Sequence, residues 1–174
     1  MGSALDTQTV LVTGGAGFIG GAVSAGLADT FRRVVVVDNL HPQVHASLER
    51  PVALDPRAEL VVADVAEAAT WDQVLESTRP EVVLHLAAET GTGQSLSEGS
   101  RHARVNVLGT TEMLDALARH RIFPRRIVLS SSRAVYGEGA WRHRDGSVFN
   151  PGQRSAEVLA AGRWDFPDAE PLAM

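Results

Sequence analysis

The sequence contains no cysteine. Disulfides, thiolate nucleophiles, Cys-ligated zinc and iron–sulfur clusters are therefore excluded. It also contains no lysine: all 16 basic residues are arginine. Tyr136 is the single tyrosine, so chemistry that needs a Tyr–Lys pair is incomplete within these residues. No apolar run approaches the roughly 20 residues of a membrane-spanning helix. The start, Met1-Gly2-Ser3-Ala4-Leu5-Asp6, lacks the basic stretch of a secretory leader, and Asp6 breaks the myristoylation pattern. A cytoplasmic protein without membrane association is the expectation. Positive charge is scarce, with 16 basic against 21 acidic residues and a net charge of −5, which argues against a broad nucleic-acid surface.

What is present is an ordinary globular composition, 44% hydrophobic over 174 residues, enough for a core without staples. Short apolar, β-branched runs at 9–13, 34–37, 60–62, 82–86 and 126–129 read as strands covered on both faces. Helical spacing lies between them, at 18–28, 70–76 and 106–120. Such alternation predicts right-handed βαβ units and an α/β, Rossmann-type doubly wound parallel sheet, with about five strands in these residues. After Gly137 the alternation stops. Residues 1–137 read as an incomplete dinucleotide-binding domain. Residues 138–174 read as an irregular segment, with one helix near 155–161, leading toward a missing catalytic helix and substrate domain. The chain is expected to be the N-terminal portion of something larger.

The most informative segment is Thr13-Gly14-Gly15-Ala16-Gly17-Phe18-Ile19-Gly20, directly after the first strand and opening the first helix. It satisfies G-x-G-x-x-G from Gly15 and G-x-x-G-x-x-G from Gly14. Glycine permits the tight turn and lets backbone approach a pyrophosphate, while the helix N-terminus offers N–H groups to its oxygens. Gly20 is expected to allow close contact of helix and sheet. Asp38 ends the second strand, 18 residues past Gly20. A carboxylate there can accept both hydroxyls of an adenosine ribose and would repel a 2′-phosphate, so NAD is favoured over NADP. Asn39 beside it supplies no arginine for that phosphate.

With these segments, Ala63-Asp64-Val65, His85-Leu86-Ala87-Ala88, Asn106-Val107-Leu108-Gly109-Thr110 and Ser130-Ser131-Ser132-Arg133-Ala134-Val135-Tyr136-Gly137 complete a pattern over roughly residues 8–137. The chain resembles the NAD-dependent epimerase/dehydratase family, extended short-chain dehydrogenases acting on nucleotide sugars. The stretch Glu89-Thr90-Gly91-Thr92-Gly93-Gln94-Ser95, with the Gly139-Ala140-Trp141 region and the later Ala161-Gly162-Arg163-Trp164, looks like a subgroup that includes dTDP-L-rhamnose 4-epimerase-like proteins. The resemblance implies that Gly14, Gly17, Phe18, Ile19, Gly20, Asp38 and Asn39 hold the cofactor. It implies that Asp64 and Val65 sit at the adenine, and that Leu86, Ala87 and Ala88 pass the phosphates and ribose. Asn106 is either a holder of backbone near the cofactor or a helix N-cap. Ser132 matches the catalytic Ser/Thr that bonds the sugar hydroxyl, with Thr90 as a further substrate residue. The implied partner is a UDP- or dTDP-linked sugar, and the implied full-length state is a homodimer.

The departures are as informative. The family's base is a Tyr in Tyr-x-x-x-Lys, and nothing here matches it, so the chain alone is expected to be inactive. In related 4,6-dehydratases an Asp and a Glu follow the Ser/Thr. Here Arg133 and Ala134 stand there, and neither serves as a general acid or base at neutral pH. An epimerase that passes hydride out and back through a 4-keto sugar is therefore the first reading. A reductase or dehydrogenase on the same scaffold, or a non-catalytic dinucleotide-binding fragment, is the alternative. His41 and His45 are four apart, but Pro42 prevents a helical ligand pair, and no metal site is expected. His85, inside a strand, reads as a hydrogen-bonded core residue.

Overall fold

The computed structural model describes residues 8–132, 135 and 137–172. It consists of two compact units, Met1–Ser130 and Ser131–Met174. Arg133, Ala134 and Tyr136 lie outside the described residues.

The first unit alternates strand and helix: β1 Thr9–Thr13, α1 Phe18–Thr30, β2 Arg33–Asp38, β3 Glu59–Val62, α2 Ala68–Ser77 and β4 Val82–His85. It continues through α3 Thr92–Ser97, α4 Gly99–Ala103, a π-helical turn Arg104–Leu108, α5 Gly109–Arg119 and β5 Arg126–Leu129. The five strands form one parallel sheet in the order β3-β2-β1-β4-β5. All five strands stand where the apolar runs predict them, but the expected cover on both faces is not met at the sheet's two edges, where β5 is exposed along its length and β3 is exposed or half-buried.

Because side chains alternate across a strand, β1 and β2 feed two separate cores. Leu11, Val35, Val37 and Val83 pack with Trp71, Val74 and Leu75 of α2 and with Met113, Ala116 and Leu117 of α5. Val10, Val12, Val34 and Val36 pack on the other face with Leu54, Ala58 and Leu27. Burial of each such side chain contributes roughly 1.5–3 kcal/mol. Trp71 is fully buried, and its indole N–H is satisfied by donating to Val65 O at 2.7 Å. The chain runs outward from β1 through β2 to β3, then returns to place β4 on the other side of β1. This reversal opens a crevice at the C-terminal ends of β1 and β4, where open α/β sheets bind ligands.

The helix expected from Asn106 begins earlier, at Gly99, and runs as α4, the π turn and α5 without a break in helical backbone. The polar stretch Ser100-Arg101-His102 carries no apolar period, which hides this first turn from the sequence. Asn106 is therefore inside the helix, in the π turn, and is not its N-cap.

In the second unit, residues 138–172 are more regular than their sequence suggests. Trp141–His143 (β6) pairs antiparallel with Val148–Phe149 (β7) and with Ala169–Pro171 (β8). Strands of two or three residues are too short to show a period of two. Phe166 meets Trp141 edge-on at 4.9 Å and Phe149 at 5.9 Å, with the Arg154 guanidinium 4.4 Å over its ring. Helix α6, Ala156–Ala160, is capped by Ser155, whose hydroxyl accepts Val158 N–H at 3.2 Å.

Candidate cofactor-binding site

The crevice holds a cleft of about 330 Å³. Gly14, Gly17, Phe18 and Ile19 line it from the β1–α1 loop, Asp38 and Asn39 from the end of β2, and Asp64 and Val65 from the end of β3. Leu86, Ala87, Ala88 and Thr90 line it from the end of β4. Segments separated by up to 91 positions (Gly14 to Val105) thus converge on one cavity of the first unit.

The glycine loop has a reason at each of two positions. Gly14 has φ +63°, and a Cβ there would come within 2.6 Å of the Ala87 nitrogen. Only glycine fits that conformation and that approach. A Cβ on Gly17 would meet only Gly14 O, at 3.3 Å, so a side chain there would fill the cleft rather than the core. No side chain caps α1, and its first turn has no acidic residue. The positive end of the helix is thus presented to an anion. Gly20 does not line the cleft. Its closest approach is to Gly15, whose oxygen an added Cβ would meet at 2.3 Å. The contact expected between Gly20 and the sheet is therefore made to the loop backbone, and it is Gly15 that lies against Val12 and Val36.

Asp38 is buried. Its Oδ2 accepts Ala16 N–H at 3.0 Å and its Oδ1 accepts Leu40 N–H at 2.9 Å. A carboxylate has about four acceptor sites, so two remain for further donors. Asp64 Oδ1 accepts Ala66 N–H at 2.9 Å, so the carboxylate caps its own turn while it lines the cleft.

One wall was not anticipated from the sequence. His41, Gln43, Val44 and His45 line the cleft from the loop after β2. Leu40 is buried at φ +50°, and the turn after it is closed by Val44 and His45 N–H donating to His41 O at 2.9 and 3.0 Å. His45 Nε2 stands 3.7 Å from Asp38 Oδ1. Gln43 Nε2 donates to Thr90 O at 3.2 Å, spanning from the loop after β2 to the loop after β4. The signal for these residues was their place directly after the strand that ends in Asp38. Among the described residues no group of three metal-ligating side chains exists.

Asn106 does not line the cleft but grips the segment that does. Its Oδ1 accepts Glu89 N–H at 2.8 Å and its Nδ2 donates to Glu89 O at 3.0 Å. Ser132 belongs to the second unit and is exposed, with its carbonyl accepting Val135 N–H at 3.2 Å.

A sequence model of the NAD dependent epimerase/dehydratase family matches residues 10–154. The chain belongs to that family. Among members of the NAD-dependent epimerase/dehydratase family, it is 59% identical over 165 residues to dTDP-L-rhamnose 4-epimerase of Burkholderia thailandensis, covering 95% of this chain and 46% of that protein. The fold is similar to UDP-glucose 4-epimerase of Thermotoga maritima, solved with UDP-glucose, at TM-score 0.65 and 31% identity over 76% of this chain and 40% of that one. It is likewise similar to UDP-glucose 4-epimerase of Brucella ovis, solved with NAD, at TM-score 0.63 and 34% identity over 75% of this chain and 38% of that one. The chain spans less than half the length of these relatives. NAD is the family's cofactor, and the cleft fits it: a glycine without a side chain at position 17 of its lining, an uncapped helix start and a carboxylate with acceptor capacity.

Proposed function

We propose that this chain is the cofactor-binding part of a nucleotide-sugar 4-epimerase whose substrate is a dTDP-linked 6-deoxy sugar. The observation that carries the reading is the convergence of the glycine loop, Asp38, Asp64 and the Leu86–Ala88 segment on one cleft at the sheet's switch point. The dTDP-sugar is supported by the 59% identity to a dTDP-L-rhamnose 4-epimerase. When bound, NAD supplies the hydride acceptor and donor that such a reaction needs.

The chain's own residues would act as follows. Amides at the start of α1 bind the pyrophosphate, and Gly17 leaves room for it. Asp38 accepts the adenosine ribose hydroxyls, and its negative charge repels a 2′-phosphate, selecting NAD over NADP. Asp64 accepts from the adenine amine, with Val65 against the ring. Leu86, Ala87 and Ala88 flank the ribose and phosphates without bulk. Ser132 donates to the sugar oxygen at the reacting carbon and stabilises charge that develops there, and Thr90 contacts the sugar. Arg133 and Ala134, where a dehydratase would carry an acid and a base, favour epimerisation over loss of water.

The sequence has no lysine, so the chain by itself binds cofactor without turnover. Joined to the C-terminal remainder of the Burkholderia relative, it should convert dTDP-L-rhamnose to its 4-epimer with no net NADH. Accumulation of NADH in step with sugar oxidation would instead support the reductase or dehydrogenase reading. Neither product from a folded, NAD-bound hybrid would contradict the proposed function.

A further inference from the structure

His85 ends β4 and is buried, yet both ring nitrogens are bonded. Nδ1 lies 2.7 Å from Thr13 Oγ1, on β1, and Nε2 lies 3.1 Å from Thr110 Oγ1, on α5. The neighbouring bonds fix the protons. Thr110 Oγ1 is 2.9 Å from Asn106 O, a carbonyl that can only accept, so the Thr110 hydroxyl donates there. Its oxygen must then accept from His85 Nε2–H. In a neutral ring Nδ1 is the acceptor, and Thr13 donates its hydroxyl proton to it. Thr13 Oγ1 in turn accepts Ala87 N–H at 3.2 Å. The result is one directed chain: Ala87 N–H to Thr13, Thr13 to His85, His85 to Thr110, Thr110 to Asn106 O.

We infer that His85 is a positioning residue for the Leu86–Glu89 segment. As a neutral Nε2–H imidazole it joins that segment, through Thr13, to the helix that carries Asn106, and protonation of the ring loosens the segment. Protonation would place a proton on Nδ1, facing Thr13 Oγ1. The Thr13 hydroxyl proton, in a fully buried residue, would then lose its acceptor. The groups meeting the ring nitrogens from β1 and α5 are both hydroxyls. No carboxylate or guanidinium bonds the ring among the described residues, and burial pushes the imidazole below its ordinary value. A group whose folded value is lowered binds fewer protons folded than unfolded as pH falls below about 6.5, so the neutral link is complete above that pH and weakens through the folded value.

The test needs no cofactor. Proton–nitrogen correlation spectra of the histidine-labelled chain at neutral pH should show His85 as the neutral Nε2–H tautomer. The Nδ1–H tautomer, or a charged ring, would overturn the inference. Amide exchange at Ala87, corrected for intrinsic rate and taken relative to Val35 in the core, should rise about tenfold in His85→Phe, the effect of one lost hydrogen bond of about 1.4 kcal/mol. It should also rise in the parent as His85 titrates. His85→Asn, whose side-chain oxygen can take the Thr13 proton, should recover most of the protection and lose the pH step. Unchanged Ala87 exchange in a folded His85→Phe would overturn the inference. If that variant does not fold, a pH step retained in His85→Asn would overturn it equally. The consequence for NAD rests on the function proposed above: His85→Phe should weaken NAD binding, more at low pH. Normal Ala87 behaviour with no NAD bound by the parent would contradict the cofactor reading and leave the His85 link supported.

Discussion

Asn106 pairs its side-chain amide with both backbone groups of Glu89, accepting the N–H at 2.8 Å and donating to the carbonyl at 3.0 Å. The pairing imitates a peptide group in a sheet, at a place where β4 has ended and no strand continues. It is made from a π-helical turn, Arg104–Leu108, a local departure that often marks a functional position in a helix. Asn106→Asp removes the donor and sets a carboxylate against Glu89 O. Because Asn106 is exposed, the change should leave the melting temperature close to that of the parent. It should weaken NAD binding about tenfold, the loss of roughly one hydrogen bond. Calorimetric titration of both proteins checks this.

Gln43 bridges the two loops that border the cleft. Its amide nitrogen donates to Thr90 O at 3.2 Å, and its oxygen accepts from Arg101 Nη2 at 3.1 Å. Arg101 is itself paired with Glu89 at 3.1 Å and Glu98 at 2.8 Å. Gln43→Ala should therefore speed NAD release several-fold, within about 1 kcal/mol of barrier, and change the association rate little. Stopped-flow displacement of bound NADH, followed by its fluorescence, reads this directly.

Asp55 fastens the long loop between β2 and β3. Its carboxylate is held down at about 2, chiefly by hydrogen bonds from the Arg57 side chain and backbone. Arg57 also pairs with Asp29 of α1 at 2.8 Å. Because the folded value lies below the ordinary one, the stabilisation is complete above about pH 4 and disappears as pH falls through about 2. Asp55→Asn should be less stable than the parent at neutral pH, and the two should converge in strong acid. Thermal melts across that range test the sign.

Asp38 holds the loops on both sides of it, and the proposed function gives it cofactor choice as well. Asp38→Ala removes the carboxylate proposed to discriminate against a 2′-phosphate, and it leaves Ala16 N–H and Leu40 N–H without their acceptor. We expect the preference for NAD over NADP to narrow, with a stability loss of roughly 1–3 kcal/mol for each orphaned amide. Equal affinity of the parent for both cofactors would contradict the assigned role of Asp38.

Much of this was legible in the sequence, for physical reasons that differ by element. β1 and β2 are almost wholly buried, and β3 and β5, though partly or fully exposed, carry the same β-branched runs, so composition marks all five. The glycine loop is constrained by backbone geometry at Gly14, which no other residue satisfies. The His41–His45 wall was not legible, because it combines a positive φ at the non-glycine Leu40, a turn closed on His41 O and a bridge from Gln43 to the distant Thr90, none of which a local pattern announces. The start of the long helix was hidden because Ser100, Arg101 and His102 are held by ion pairs and hydrogen bonds, among them Arg101–Glu89 and His102–Glu98, rather than by an apolar stripe. The small sheet around Trp141 is stabilised by aromatic contacts over long separations, such as Trp141 with Phe166 at 4.9 Å, and its strands are too short to carry a period.

The central claim is that the cleft at the ends of β1 and β4 binds NAD through the β1–α1 loop. Its most direct test is a calorimetric titration of NAD into the chain and into Gly17→Val. A Cβ at Gly17 meets only Gly14 O, at 3.3 Å, so the variant should fold with a shift of a few tenths of an ångström in the loop while its branched side chain occupies the cleft. One NAD should bind per parent chain, with no measurable binding to the folded variant. NAD binding of equal affinity to both, or none to the folded parent, would contradict it.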